Sequence, residues 1–67
     1  MSERYAILTP HGWHGRTLDG YGAGVPARLA VLLDDPGTAE FIAEKYGYLG
    51  WKIVNTGGEV VSQDRSM

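Results

Sequence analysis

ARLAVLLDDPGTAEFIAEKYG, residues 27 to 47, is the stretch on which the fold turns. Its first part, ARLAVLLD (27–34), reads as a strand. Leu29, Val31 and Leu33 point one way, Ala30 and Leu32 the other, and both sets are apolar. A strand with one wet face alternates with polar residues, so this one is expected to be covered on both sides. The second part, PGTAEFIAEKY (36–46), reads as a helix. Asp35 can accept hydrogen bonds from the free N–H groups of the first turn, and Pro36 suits the first helical position. Gly47 suits the left-handed residue that ends a helix. Ala39, Ile42, Ala43 and Tyr46 recur at helical spacing, with Phe41 on the flank, which predicts one buried face. Glu40 and Glu44 fall a turn apart on the opposite face, toward solvent.

Working outward toward the N-terminus, RYAILT (4–9) predicts another strand, with Tyr5, Ile7 and Thr9 on one face and Ala6 and Leu8 on the other. Pro10 lacks a ladder donor and ends it. Between the two strands, PHGWHGRTLDGYGAG (10–24) holds five glycines among His11, Trp13, His14, Arg16, Asp19 and Tyr21. It predicts a long glycine-rich loop over 10–26, of a length that is commonly functional or disordered. Toward the C-terminus, WKIVNTGGEVVS (51–62) predicts a hairpin. Trp51, Ile53 and Val54 form one arm, Thr56-Gly57-Gly58 the turn, and Glu59-Val60-Val61 the return. Residues 63–67 form a polar tail that is expected to fray. The sum is a single α+β domain over residues 1–67. A small single-layer antiparallel or mixed β-sheet carries one α-helix on one face, in the order β-β-α-β-β.

Sixty-seven residues without cysteine exclude disulfides and thiolate metal sites. A core this small rarely supplies more than about 3–5 kcal/mol of net stability. Six Lys/Arg against eight Asp/Glu, with the cations scattered, lack the basic stripe that nucleic-acid binding needs. No apolar run reaches membrane-spanning length, and MSERYAILTP lacks the pattern of a secretion signal. A soluble cytoplasmic protein is the expectation.

One helix covers one face of a small sheet and leaves the other bare, with Trp13, Tyr21, Tyr48 and Trp51 also needing cover. Monomers seldom expose an apolar patch beyond about 300–600 Å². Either the 10–26 loop folds over the open face or another chain does. The second is preferred, because an interface of about 800 Å² per partner is feasible for such a chain, and a symmetric homodimer is the commonest pairing. Tyr and Trp suit interfaces. The candidate partner-binding residues are His11, Trp13, His14, Arg16, Tyr21 and Trp51.

Other constellations are weaker. His11 and His14 stand three apart with Asp19 nearby, but the flanking Pro10, Gly12 and Gly15 oppose a helical turn, and two histidines are too few for zinc. No cofactor is expected. Gly20, Gly22 and Gly24 miss the dinucleotide spacing and precede no helix. Asp34-Asp35 resembles a magnesium pair, yet an N-cap beside a solvated acid explains it. With Glu40 and Glu44 it forms a candidate acidic contact face. No serine or threonine has the context of an activated nucleophile. Three functions follow. The first is a non-catalytic protein-binding protein, a self-associating adaptor or an inhibitor of a larger complex, including a phage- or plasmid-type antagonist. The second is a metal- or small-ligand-binding oligomer using the histidine loop. The third is nucleic-acid binding through Arg4, Arg16 and Arg28, or acidic mimicry of nucleic acid.

Overall fold

The computed structural model describes residues 3–65. Strands β1 (Tyr5–Thr9), β2 (Gly12–Thr17) and β3 (Gly20–Val25) are followed by a 3-10 turn (Ala27–Leu29) and helix α1 (Pro36–Lys45). Strands β4 (Lys52–Asn55) and β5 (Val60–Gln63) complete the order. The strands form one antiparallel five-stranded sheet, β3-β2-β1-β4-β5. Helix α1 packs on one face, here the front, against β1, β4 and β5. The fold is thus the expected α+β sheet with a single helix.

The core lies under the helix. Ile7 and Ile53 stand opposite each other in the β1–β4 ladder, and both are 0 % exposed. Ala39 and Ala43 meet them from α1, with Trp51 alongside. The small helical residues let the helix backbone settle close to the two isoleucines, and dense contact of this kind is what stabilises a small core.

Local signals at the helix ends act as read. The Asp35 carboxylate accepts from the Thr38 N–H at 2.9 Å. At the other end Gly47 adopts φ +72°. Its N–H donates to Glu44, and the Tyr48 N–H donates back to Ala43 at 3.1 Å. This paired closure reverses the chain and fixes where Tyr46 and Tyr48 go.

Two expectations are corrected. Residues 10–26 are not a loop: most of them form the β2–β3 hairpin, closed at Leu18-Asp19, with Thr17 opposite Gly20 and Arg16 opposite Tyr21. Ladder hydrogen bonds belong to the backbone, so glycines can make them while erasing the side-chain alternation that marks a strand. Three strands therefore precede the helix instead of two.

Residues 27–34 are not a strand either. β1 and β2 pair only at Leu8–Trp13 and Thr9–Gly12. Beyond those pairs the two strands fork, and residues 30–33 occupy the fork. Ala30 bridges Gly15, and the Val31 N–H donates to the His14 carbonyl at 3.0 Å. Tyr5 and Leu33 exchange two backbone hydrogen bonds, each 2.8 Å. The segment is apolar on both sides because it passes from the back of the sheet to the front. Leu33 joins the core, while Leu29 and Leu32 remain more than half exposed. The approach is close: a Cβ on Gly15 would collide with the Leu29 carbonyl oxygen and Val25 Cγ2.

The back face also has an unforeseen neighbour. Ala27, Ala30 and Leu32 border a hollow on the back together with Ala6, Trp13 and Val54, so residues 27–32 flank part of that face. The tail is tied further than expected. Gln63 pairs with Lys52, the Asp64 N–H donates to Trp51 at 2.8 Å, and the Asp64 carboxylate accepts from Gly50 at 2.8 Å. Ser66 and Met67 lie outside the described residues.

Candidate binding cleft

Helix α1 packs on β1, β4 and β5 and faces the front of the β2–β3 hairpin across a cleft. The pairs His14–Ala23 and Arg16–Tyr21 place these four residues on that open front. A register shift between Trp13 and His14, where β3 carries one extra residue, lets Val25 pair with Trp13 and Ala23 with His14 although the two β3 residues stand two apart.

His14 is 3 % exposed. Its Nδ1 lies 2.6 Å from the Tyr48 hydroxyl. Which of the two donates depends on the imidazole tautomer; when the phenol donates to Nδ1, the ring proton lies on Nε2. Tyr46 meets the imidazole edge-on at 4.9 Å, Tyr48 edge-on at 5.6 Å, and Tyr21 stacks at 6.0 Å. Tyr46 and Tyr48 stack on each other at 5.6 Å. Burial holds the His14 pKa below the ordinary histidine value, so the ring is neutral at pH 7. Burial, and then the neighbouring Tyr46, push the Tyr48 phenol up. Nε2 has no hydrogen-bond partner among the described residues, yet no buried side-chain polar atom among them is unsatisfied. Nε2 is therefore open to the cleft that His14 lines.

That cleft holds about 530 Å³. His14 and Tyr21 form its sheet wall, Phe41, Ile42, Lys45 and Tyr46 its helix wall, and Val31 closes it. Three of the rings are left half in water: Tyr21 is 53 % exposed, Phe41 64 % and Tyr46 45 %. No carboxylate lines the cleft, and Lys45 is the one charged residue that does. Arg16 stands on the same sheet face beside Tyr21. Arg4 pairs with Asp34 at 3.3 Å on the surface, and neither Lys45 nor Arg16 forms an ion pair among the described residues.

The sequence candidates divide. His14, Tyr21 and Arg16 come together on this face. Trp13 is half-buried on the back, and His11 is exposed in the β1–β2 turn. Trp51 is 5 % exposed and belongs to the core, so its ring serves the fold and not a contact surface. His11, His14 and Asp19 do not converge, because β2 separates the turns that carry His11 and Asp19 and His14 faces the tyrosines. No group of three metal-ligating side chains occurs among the described residues. The acids do not form one face. Asp34 pairs with Arg4, Asp35 caps α1, and Glu40 and Glu44 line a separate hollow with Trp51 and Asp64. Phe41, Lys45, Tyr46 and Tyr48 were missed as site residues. The one local hint was that Phe41 and Lys45, four apart, lie off the buried stripe of the helix.

No helix among the described residues is long and apolar enough to cross a membrane. No protein family, curated protein or solved structure matches the chain.

Proposed function

We propose that this chain is a non-catalytic protein-binding module, an adaptor or an inhibitor, that seats apolar side chains of another protein in the His14 cleft. The observation that carries this reading is the convergence of Tyr21, Phe41 and Tyr46, all about half exposed, on one cleft. Aromatic rings give large contact area at low entropic cost and dominate interface energies when a partner desolvates them. Ligand pockets enclose most of their ligand's surface. Walls left this exposed favour a protein segment over a small molecule. Lys45 and Nε2 of His14 add one charge and one hydrogen-bonding nitrogen to an otherwise apolar trough.

The test is a display selection of random dodecapeptides on the wild-type chain, repeated on Phe41→Ala. Selected peptides are expected to lose about tenfold or more in affinity on the variant. Failure to select any peptide, or equal binding to both chains, overturns the proposal. Sedimentation across a concentration series shows whether the partner is a second copy.

A further inference from the structure

β3 is an edge of the sheet. The His14 carbonyl is spent on Val31, on the side of β2 away from β3. Antiparallel strands alternate between pairs that exchange hydrogen bonds and pairs that do not. His14–Ala23 is therefore of the second kind, and so is Arg16–Tyr21 two residues on. The backbone N–H and C=O groups of Ala23 and Tyr21 consequently point away from β2, into the open edge. Their side chains share the front face with His14, beside the cleft. Free backbone groups and an apolar trough thus lie side by side. An extended chain satisfies both at once, with main-chain bonds to the edge and alternate side chains turned toward the trough.

Charge selects the kind of chain. Lys45 lines the cleft and Arg16 stands beside Tyr21, with no carboxylate lining the trough. Glu40 and Glu44 line the separate hollow shared with Trp51 and Asp64. Resting on the protein-binding reading above, we infer that the free edge of β3 takes up an extended acidic segment of a partner protein as an added strand. An apolar side chain of that segment fills the His14 cleft, and its carboxylates meet Lys45 and Arg16. Nε2 of His14 offers the incoming segment one further hydrogen-bonding atom.

The experiment uses peptides from the selection that bind wild type and fail on Phe41→Ala. Each is resynthesised with single N-methyl groups at successive amides, and binding is measured on wild type and on the Lys45→Gln/Arg16→Gln double variant. Acidic residues are expected to be enriched. N-methylation is expected to weaken binding about tenfold at every second amide and little between them, and the double variant to weaken it about tenfold. Indifference to N-methylation at every amide, or neutral or basic selected sequences, or full binding to the double variant overturns strand addition while leaving the cleft reading standing. A self-associated chain whose dimer the peptides do not disperse overturns it in favour of a second copy. If no peptide depends on Phe41, both proposals fall.

Discussion

Under α1, the front of β1 and β4 is sealed: Ile7 and Ile53 lie against Ala39 and Ala43 with no exposed surface. On the same face, the β2–β3 hairpin carries a buried His14 on one strand and a half-exposed Tyr21 on the other, with α1 flanking them across a cleft instead of packing over them. The difference is one of reach. A helix is about 10 Å across with its side chains, and strands lie about 4.8 Å apart, so one helix shields two or three strands and not five. The shielded half can spend its side chains on packing. The unshielded half is held instead by backbone bonds, by residues 30–33 in the fork and by the His14–Tyr48 contact. A surface built this way can offer its rings to a partner without dismantling the core.

The contrast can be broken most severely from the core. Ile53→Ala is expected to cost about 2–5 kcal/mol, comparable to the whole stability of a domain this size. Urea denaturation reads it, and a cost under about 1 kcal/mol would remove Ile53 from the centre of the core. Gly15→Ala tests the other half. Its methyl must displace the Leu29 carbonyl or Val25, which is expected to cost about 1–3 kcal/mol. Hydrogen exchange should quicken at the Val31 amide, which bonds His14 beside it, before it does at Ile53.

Acid gives a smaller, selective effect. His14 is held neutral by burial among Tyr21, Tyr46 and Tyr48, with the Lys45 cation on the helix wall of the cleft. The unfolded chain takes up a proton there first. The stability linked to His14 is therefore full above the ordinary histidine pKa, near 6.5, and falls as the pH drops below that value. It levels off only under the depressed pKa of the folded ring. Urea midpoints from about pH 7.5 to 5 should show this slope, and His14→Gln should flatten it. Smallest is Phe41→Ala. With its ring mostly in water, the change is expected to move stability by no more than about 0.5 kcal/mol, while removing a wall of the cleft. Equal losses of folding and binding would erase the division between the halves.

Legibility followed the same division. Asp35, Pro36 and Gly47 announced α1 because capping is a short-range matter of orphan N–H and C=O groups. Tyr5–Thr9 and the Lys52–Gln63 hairpin were readable because each runs beside a turn or breaker. The β2–β3 hairpin was not readable, since its glycines carry no pattern. Of the site, His14, Tyr21 and Arg16 stood out by type. Phe41, Lys45, Tyr46 and Tyr48 did not, since a helix flank and a helix end look alike whether or not a histidine waits across the sheet.

The sequence by itself determined the α+β class, the limits of the one helix and the excess of apolar surface over available cover. These follow from local hydrogen-bond needs and from composition, which need no knowledge of neighbours. Tertiary structure alone decided that residues 30–33 fill the fork between β1 and β2. It alone brought the rings from β2, β3 and the end of α1 to one cleft. Those outcomes depend on which backbone groups find each other across long stretches of chain, and backbone groups are the same in every residue but proline.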